Sequence, residues 1–218
     1  MSSPKIKTII FDLDGTLSDT NKIQSAAEAE ILNRYGVKIS AAEIERRFSG
    51  VKTSEFFREL LRGQDLDIDG IIEEKWKKVI NLAGKNARPI PGALELVEYF
   101  GGAGYGLALA SSSRQEYIMA VLNKLGLVHK FKTITSGDEV ERGKPDPAIF
   151  LLAAQKMNAR PEECLVFEDA LSGMTAAKRA GMRCAGLVDK SDKREYPADF
   201  IVNNWAELDM VNIFYNLN

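Results

Sequence analysis

The chain has 218 residues, 45% of them apolar and 28% charged, with a formal net charge of −2. That length suits one large domain, or a core domain with a smaller one attached. The near-neutral charge gives no nucleic-acid footprint, and no apolar stretch approaches the roughly 18 residues of a membrane span.

The opening residues, MSSPKIKTIIF, carry no long apolar segment and no cleavage site, so no secretory leader is expected. Cys164 and Cys184 are too few and too isolated for a disulfide framework or a zinc site, and both begin apolar runs, which predicts core thiols in a cytoplasmic protein. His129 is the only histidine, which removes His-based metal sites and Ser-His-Asp triads unless it serves itself. It lies in GLVHKF and reads as structural or solvated. Chemistry in this chain must run on carboxylates, a lysine, hydroxyls and a metal.

In chain order, IKTIIF at 6–11 reads as a strand entering the core. From about 21 to 88 the pattern is helical throughout. Ile23, Ala27, Ile31 and Tyr35 step by four, Ile44 and Phe48 do the same, then come Phe56, Phe57, Leu60 and Leu61, and then Ile71, Ile72, Trp76, Val79, Ile80 and Ala83. Lys75, Lys77 and Lys78, interleaved with Glu73 and Glu74, read as a solvated helix face. ARPIPGAL at 87–94 reads as a stiff linker out of this helical insertion, and GGAG at 101–104 as a turn. Further strands are predicted at 106–110, 133–135, 164–167, 184–188 and 199–202. Between them Ile118, Val121, Leu122 and Leu125, and then Ile149, Phe150, Ala153, Ala154 and Met157, keep helical spacing. Alternation of this kind predicts an α/β core with a mainly parallel sheet, covered by helices on both faces. The predicted division is a core from 1–19 and 89–218 and an all-helical domain over 20–88. No GxGxxG follows the first strand, which argues against a dinucleotide site.

Four groups fall just beyond strand ends or at a helix entry, where open α/β sheets bind ligands: Asp12 and Asp14, the Ser111–Ser113 run, Lys144 in RGKPDPAIF, and Glu168 with Asp169. Carboxylates gathered in one cleft repel unless something cationic compensates. Mg²⁺ suits ligation by carboxylates, waters and a phosphate, and Lys144 would add a fixed charge. Serine hydroxyls and backbone N–H groups would hold a dianion. The set fits phosphoryl transfer, with one aspartate as nucleophile and a second carboxylate as acid and base. Each motif alone has a plainer reading: DxD as a turn or calcium site, the serines and Glu168–Asp169 as helix caps, Lys144 as a surface residue.

FDLDGTLSDT, LALASSS, GKPDP and VFEDALSGMTAAKRAG, in this order, resemble the haloacid dehalogenase-like superfamily over essentially the full length, within its β-phosphoglucomutase-like group of sugar-phosphate phosphatases and mutases. The resemblance implies a Rossmann-like parallel-sheet core with an inserted helical cap. It implies Asp12 as nucleophile and Mg²⁺ ligand, and Asp14 as general acid/base whose backbone carbonyl also ligates the ion. Ser111 is then the hydroxyl donor to the phosphoryl group, helped by the main chain of Leu13 and Ser112. Lys144 is the lysine tying nucleophile to phosphoryl oxygens, Asp169 a direct metal ligand and Glu168 its partner. The dehalogenase branch lacks the carboxylate of Asp14, so the phosphoryl-transfer branch is expected. Lys22 and Lys52 match no Schiff-base context of the phosphonate-cleaving branch.

Two departures separate phosphatase from mutase. Gln24 stands where the mutase carries a histidine, and Thr53, in SGVKTS, where it carries an arginine for the second phosphate. Water is therefore the expected acceptor, and the mutase is the alternative, with Lys52 a partial substitute for the arginine. Gln24, Lys52 and Thr53 are the expected substrate contacts from the cap, and Arg114 and Gln115 match positions near the distal phosphate. A solvated helix start is the plainer reading of Arg114. The expected ligand is a small phosphate ester bound by a monomer, with no nucleic acid or membrane partner.

Overall fold

A computed structural model describes residues 5–207. The outermost residues of the expected core, 1–4 and 208–218, lie outside the described residues. Six strands form one parallel sheet: β1 Thr8–Phe11, β2 Gly106–Ser111, β3 Thr133–Ser136, β4 Cys164–Glu168, β5 Arg183–Leu187 and β6 Phe200–Val202. Their order is β3-β2-β1-β4-β5-β6. The chain builds outward from β1 on one side, then returns to β1 and builds outward on the other. The crevice of such a doubly wound sheet lies where this reversal occurs, between β1 and β4.

The strands are buried on both faces, which is why they read as continuous apolar runs rather than as alternation. Ile9 and Phe11 face one side with Leu107, Leu109, Leu165 and Phe167; Ile10 faces the other with Ala108, Ala110 and Val166. On the first side pack helices α5 (Ala93–Gly102) and α6 (Gln115–Leu125), on the second α7 (Ala148–Lys156) and α8 (Leu171–Arg179). Phe11 stacks on Phe167 at 5.0 Å between ring centres, with Phe100 and Trp205 closing around them. Each such buried ring contributes on the order of 2–3 kcal/mol. Gly101 and Gly102, expected in a turn, instead close the last turn of α5. They are exposed there and nothing crowds them out of the helix.

Between β1 and α5 run four helices without a strand: α1 Asn21–Arg34, α2 Ala41–Phe48, α3 Thr53–Leu60 and α4 Ile68–Asn86. Ser40 caps α2 by accepting the Glu43 N–H, and Asp67 caps α4 by accepting the Gly70 N–H at 2.9 Å. The chain enters and leaves this segment at adjacent points. Ser18 pairs with Pro89, the Asp19 N–H donates to the Arg88 carbonyl at 2.9 Å, and the Arg88 N–H donates to Asp19 Oδ1 at 2.9 Å. Helix α4 packs on α6, where Trp76 meets Tyr117 edge to face at 5.6 Å. Lys75 is not on a solvated face: it is fully buried. Its position, three after Ile72 and four before Val79, puts it on the apolar stripe of α4. No helix among the described residues is long and apolar enough to cross a membrane.

Candidate active site

The ladder of β1 and β4 runs one residue past β1, with the Asp12 N–H donating to the Phe167 carbonyl at 3.0 Å. This pairing sets Asp12 beside Glu168 and Asp169. Lys144, in the loop before α7, reaches between them. Its Nζ lies 2.6 Å from Asp12 Oδ1 and 2.6 Å from Glu168 Oε1, and all three side chains are buried. Glu168 Oε2 also accepts the Ala170 N–H at 2.7 Å. Gly173 makes room for it: a Cβ there would fall 1.7 Å from Glu168 Oε1. Asp169 accepts from Thr16 Oγ1 at 3.1 Å and from Asn21 Nδ2 at 3.0 Å. Gly15 closes the turn after Asp14 at φ +87°, where a Cβ would meet Asp169 Oδ2 at 2.1 Å.

One oxygen from each of Asp12, Glu168 and Asp169 lies within 4.8 Å of the others. Three carboxylates thus face one ammonium. Burial, with the charges of Glu168, Asp169 and Asp14, outweighs Lys144 and pushes the Asp12 carboxyl well above its ordinary value. Burial and the neighbouring Glu168 push Asp169 up to about 8. Burial works against the charge on Lys144, but Asp12 and Glu168 hold its ammonium above the usual lysine range. The cluster has a surplus of negative charge in a dry place and an all-oxygen donor set. Those are the requirements of a hard divalent cation, and the residues fit one.

Asp14 points elsewhere. Its Oδ1 accepts from Tyr117 Oη at 2.7 Å and Thr20 Oγ1 at 2.5 Å, and its Oδ2 accepts from Ser113 Oγ at 3.0 Å. Burial and the Asp14 charge push the Tyr117 phenol well above its ordinary value, so it stays protonated and donates. Tyr117, Thr20 and Ser113 were absent from the sequence reading of this carboxylate. Tyr117 lies among the apolar positions of α6 and gives no polar signal of its own.

The helices α1–α4 roof the strand ends. Gln24 Nε2 donates to Ser113 Oγ at 3.2 Å, Ser112 Oγ to the Gly50 carbonyl at 2.7 Å, and Ser172 Oγ to the Ser49 carbonyl at 2.6 Å. A cavity of about 60 Å³, room for a few waters, remains beneath them. Of the expected residues, Asp12, Asp14, Ser111, Ser112, Gln24 and Thr53 line it. Leu13 is wholly buried in the turn between the two aspartates, and Lys144, Glu168 and Asp169 form the charged cluster next to the cavity. Lys52, Arg114 and Gln115 are not on its wall. Lys52 Nζ donates to the Val140 carbonyl at 2.9 Å, Arg114 pairs with Glu73 and lies over the Trp76 ring, and Gln115 is exposed with its N–H on Asp138.

Acidic residues and a lysine thus gather at the switch point of a doubly wound α/β sheet, where such folds bind ligands. The chain belongs to the haloacid dehalogenase-like hydrolase family, whose model matches residues 9–187. It is 34% identical to the phosphorylated carbohydrates phosphatase of Thermotoga maritima over 84% of this chain and 86% of that protein. It is also 34% identical to the fructose-1-phosphate phosphatase YqaB of Escherichia coli, over 80% of this chain and 92% of that protein. Among solved structures, the β-phosphoglucomutase of Clostridium difficile superimposes with a TM-score of 0.86 at 25% identity, covering 98% of this chain and 97% of that one.

Proposed function

We propose that the chain is a Mg²⁺-dependent phosphatase of small phosphorylated metabolites, sugar phosphates foremost, working through an aspartyl-phosphate. The reading rests on one observation above all: Asp12 and Glu168 pair with the Lys144 ammonium at the ends of β1 and β4, with Asp169 completing a cluster of three carboxylates there. The phosphatases among the relatives support it.

Asp12, Asp169 and the Asp14 carbonyl would hold the ion, with Glu168 beside them. When bound, Mg²⁺ supplies positive charge to the phosphoryl oxygens. A carboxylate oxygen of Asp12 attacks phosphorus, and the bond from phosphorus to the ester oxygen breaks. Asp14 gives its proton to the departing alkoxide, then takes one from the water that attacks the aspartyl-phosphate. Phosphate leaves and Asp12 is regenerated. Lys144 holds Asp12 in place, while the Ser111 hydroxyl and the main chain of Leu13 and Ser112 hold the phosphoryl oxygens. The helices α1–α4 act as a cap, with the division near 19–20 and 88–89, and their closure keeps bulk water out.

Phosphate release from sugar and polyol phosphates with Mg²⁺, lost on chelation, is the expected result. Asp12→Asn abolishes turnover with an unchanged circular-dichroism spectrum. A variant that keeps most of its activity would overturn the nucleophile. The likeness to β-phosphoglucomutase favours a second reading, a phosphosugar mutase. An isomerised hexose phosphate, formed only with a bisphosphate primer, would establish it.

A further inference from the structure

Lys75 is fully buried in α4, at the roof of the cavity. Its Nζ lies 2.7 Å from Gln24 Oε1, 2.9 Å from Thr53 Oγ1 and 3.0 Å from Glu28 Oε1, and 3.5 Å above the Trp76 ring. An ammonium has three hydrogens to donate. All three are committed, so Lys75 offers nothing to a ligand. Its effect is to hold Gln24, Thr53 and Glu28 at fixed positions. Those three residues do line the cavity, and so does Glu45, whose Oε1 accepts from Ser25 Oγ at 2.6 Å. Among the described residues no lysine or arginine lines it. Arg114 and Lys52, the cations expected from the sequence near the substrate, are engaged elsewhere, Arg114 on Glu73 and Lys52 on the Val140 carbonyl.

The two ends of the cavity therefore differ in charge chemistry. At the sheet end, the proposed cation site at Asp12, with the Ser111 hydroxyl and nearby main chain, would receive a dianion. At the roof there are carboxylates, an amide and hydroxyls. A polyol tail brings hydroxyl donors that carboxylates accept, and brings no charge. A tail with its own phosphate or carboxylate would be stripped of water against like charge, with no cation to receive it.

We infer that the roof built on Glu28 and Lys75 selects phosphate monoesters whose leaving group is an uncharged polyol, with Glu28 accepting its hydroxyl hydrogens, and rejects esters with a second anionic group. This rests on the phosphatase reading. It makes Glu28 a specificity residue and Lys75 a positioning residue.

The test uses the full chain with Mg²⁺ and size-matched pairs: fructose 1-phosphate against fructose 1,6-bisphosphate, and glycerol 3-phosphate against 3-phosphoglycerate. The uncharged-tail member of each pair is favoured by about 100-fold or more in kcat/KM. Glu28→Gln lowers turnover of the uncharged-tail member and brings each ratio below about tenfold, because Lys75 loses its countercharge. If this variant melts early, the wild-type ratios still decide. Equal or faster turnover of the anionic-tail members overturns the inference and leaves the phosphatase reading standing. An unchanged ratio in folded Glu28→Gln overturns the role of Glu28. No phosphate release from the four esters or from p-nitrophenyl phosphate removes both readings.

Discussion

Replacing Lys144 by Met keeps most of the side-chain volume and deletes the charge. At 2.6 Å, and with an effective dielectric constant of about 20, each of the two contacts to Asp12 and Glu168 has a gross attraction of about 6 kcal/mol. Desolvation of three buried charges consumes most of that sum. Breaking a buried pair nevertheless costs about 3–5 kcal/mol, because the orphaned carboxylates remain. For a domain with a stability of about 5–15 kcal/mol this is a large share. Urea melts at pH 7.5 with a chelator present are the assay. The variant Lys144→Met unfolds at markedly lower urea, and adding Glu168→Gln restores part of the loss, since one orphaned charge is gone. Turnover falls by about 10²–10³ in kcat, the scale of losing one preorganised charged contact. A single variant within about 1 kcal/mol of the wild type, well below the cost of a broken buried pair, would refute the reasoning.

Three other outcomes are expected. Tyr117→Phe removes one of three donors to Asp14 and lowers kcat about 10- to 100-fold with KM nearly unchanged, from the 1.5–3 kcal/mol of a hydrogen bond to a charge; steady-state kinetics on one phosphate ester would check it, and a pure KM effect would contradict it. Asp12 and Asp169 have folded pKa values raised above 3.8, the latter to about 8, so the folded state keeps protons that the unfolded chain loses. Stability from this source is therefore full below about pH 4 and is lost as pH rises toward 8. With a chelator, the thermal midpoint falls between pH 6 and 8.5. Excess Mg²⁺ removes most of that fall, and a flat profile with chelator would count against the acidic cluster. Gly173→Ala drives a methyl into Glu168 and destabilises the protein by more than 1 kcal/mol in urea melts.

The sheet was legible because its strands are short apolar runs ended by charged or turn residues. The runs at 106–110 and 164–167 extend by one residue each, into Ser111 and Glu168. The placement of Asp12, Asp169 and Ser111 at or just past strand ends was legible for the same reason. Partners across elements were not. Lys75 looked solvated because its neighbours are charged, and its burial is made tolerable by partners from other helices, Glu28, Gln24 and Thr53. Tyr117 went unread because it sits beside the apolar stripe of α6 with only the tip of its side chain polar. Lys52 was expected over the cavity and Arg114 near a distal phosphate by resemblance, or else solvated; Val140 and Glu73 hold them off the cavity wall.

The stitching of Ser18 and Asp19 to Arg88 and Pro89 makes the two connections to the helical segment a single narrow ribbon. Two loose tethers would let that segment slide, tilt and rotate independently. One laced ribbon leaves mainly a swing, like a door on one pin. Thr20, at the foot of the ribbon, is bonded to Asp14, so such a swing would also pull on that carboxylate. Displacing the helical segment and shifting Asp14 would then be the same movement.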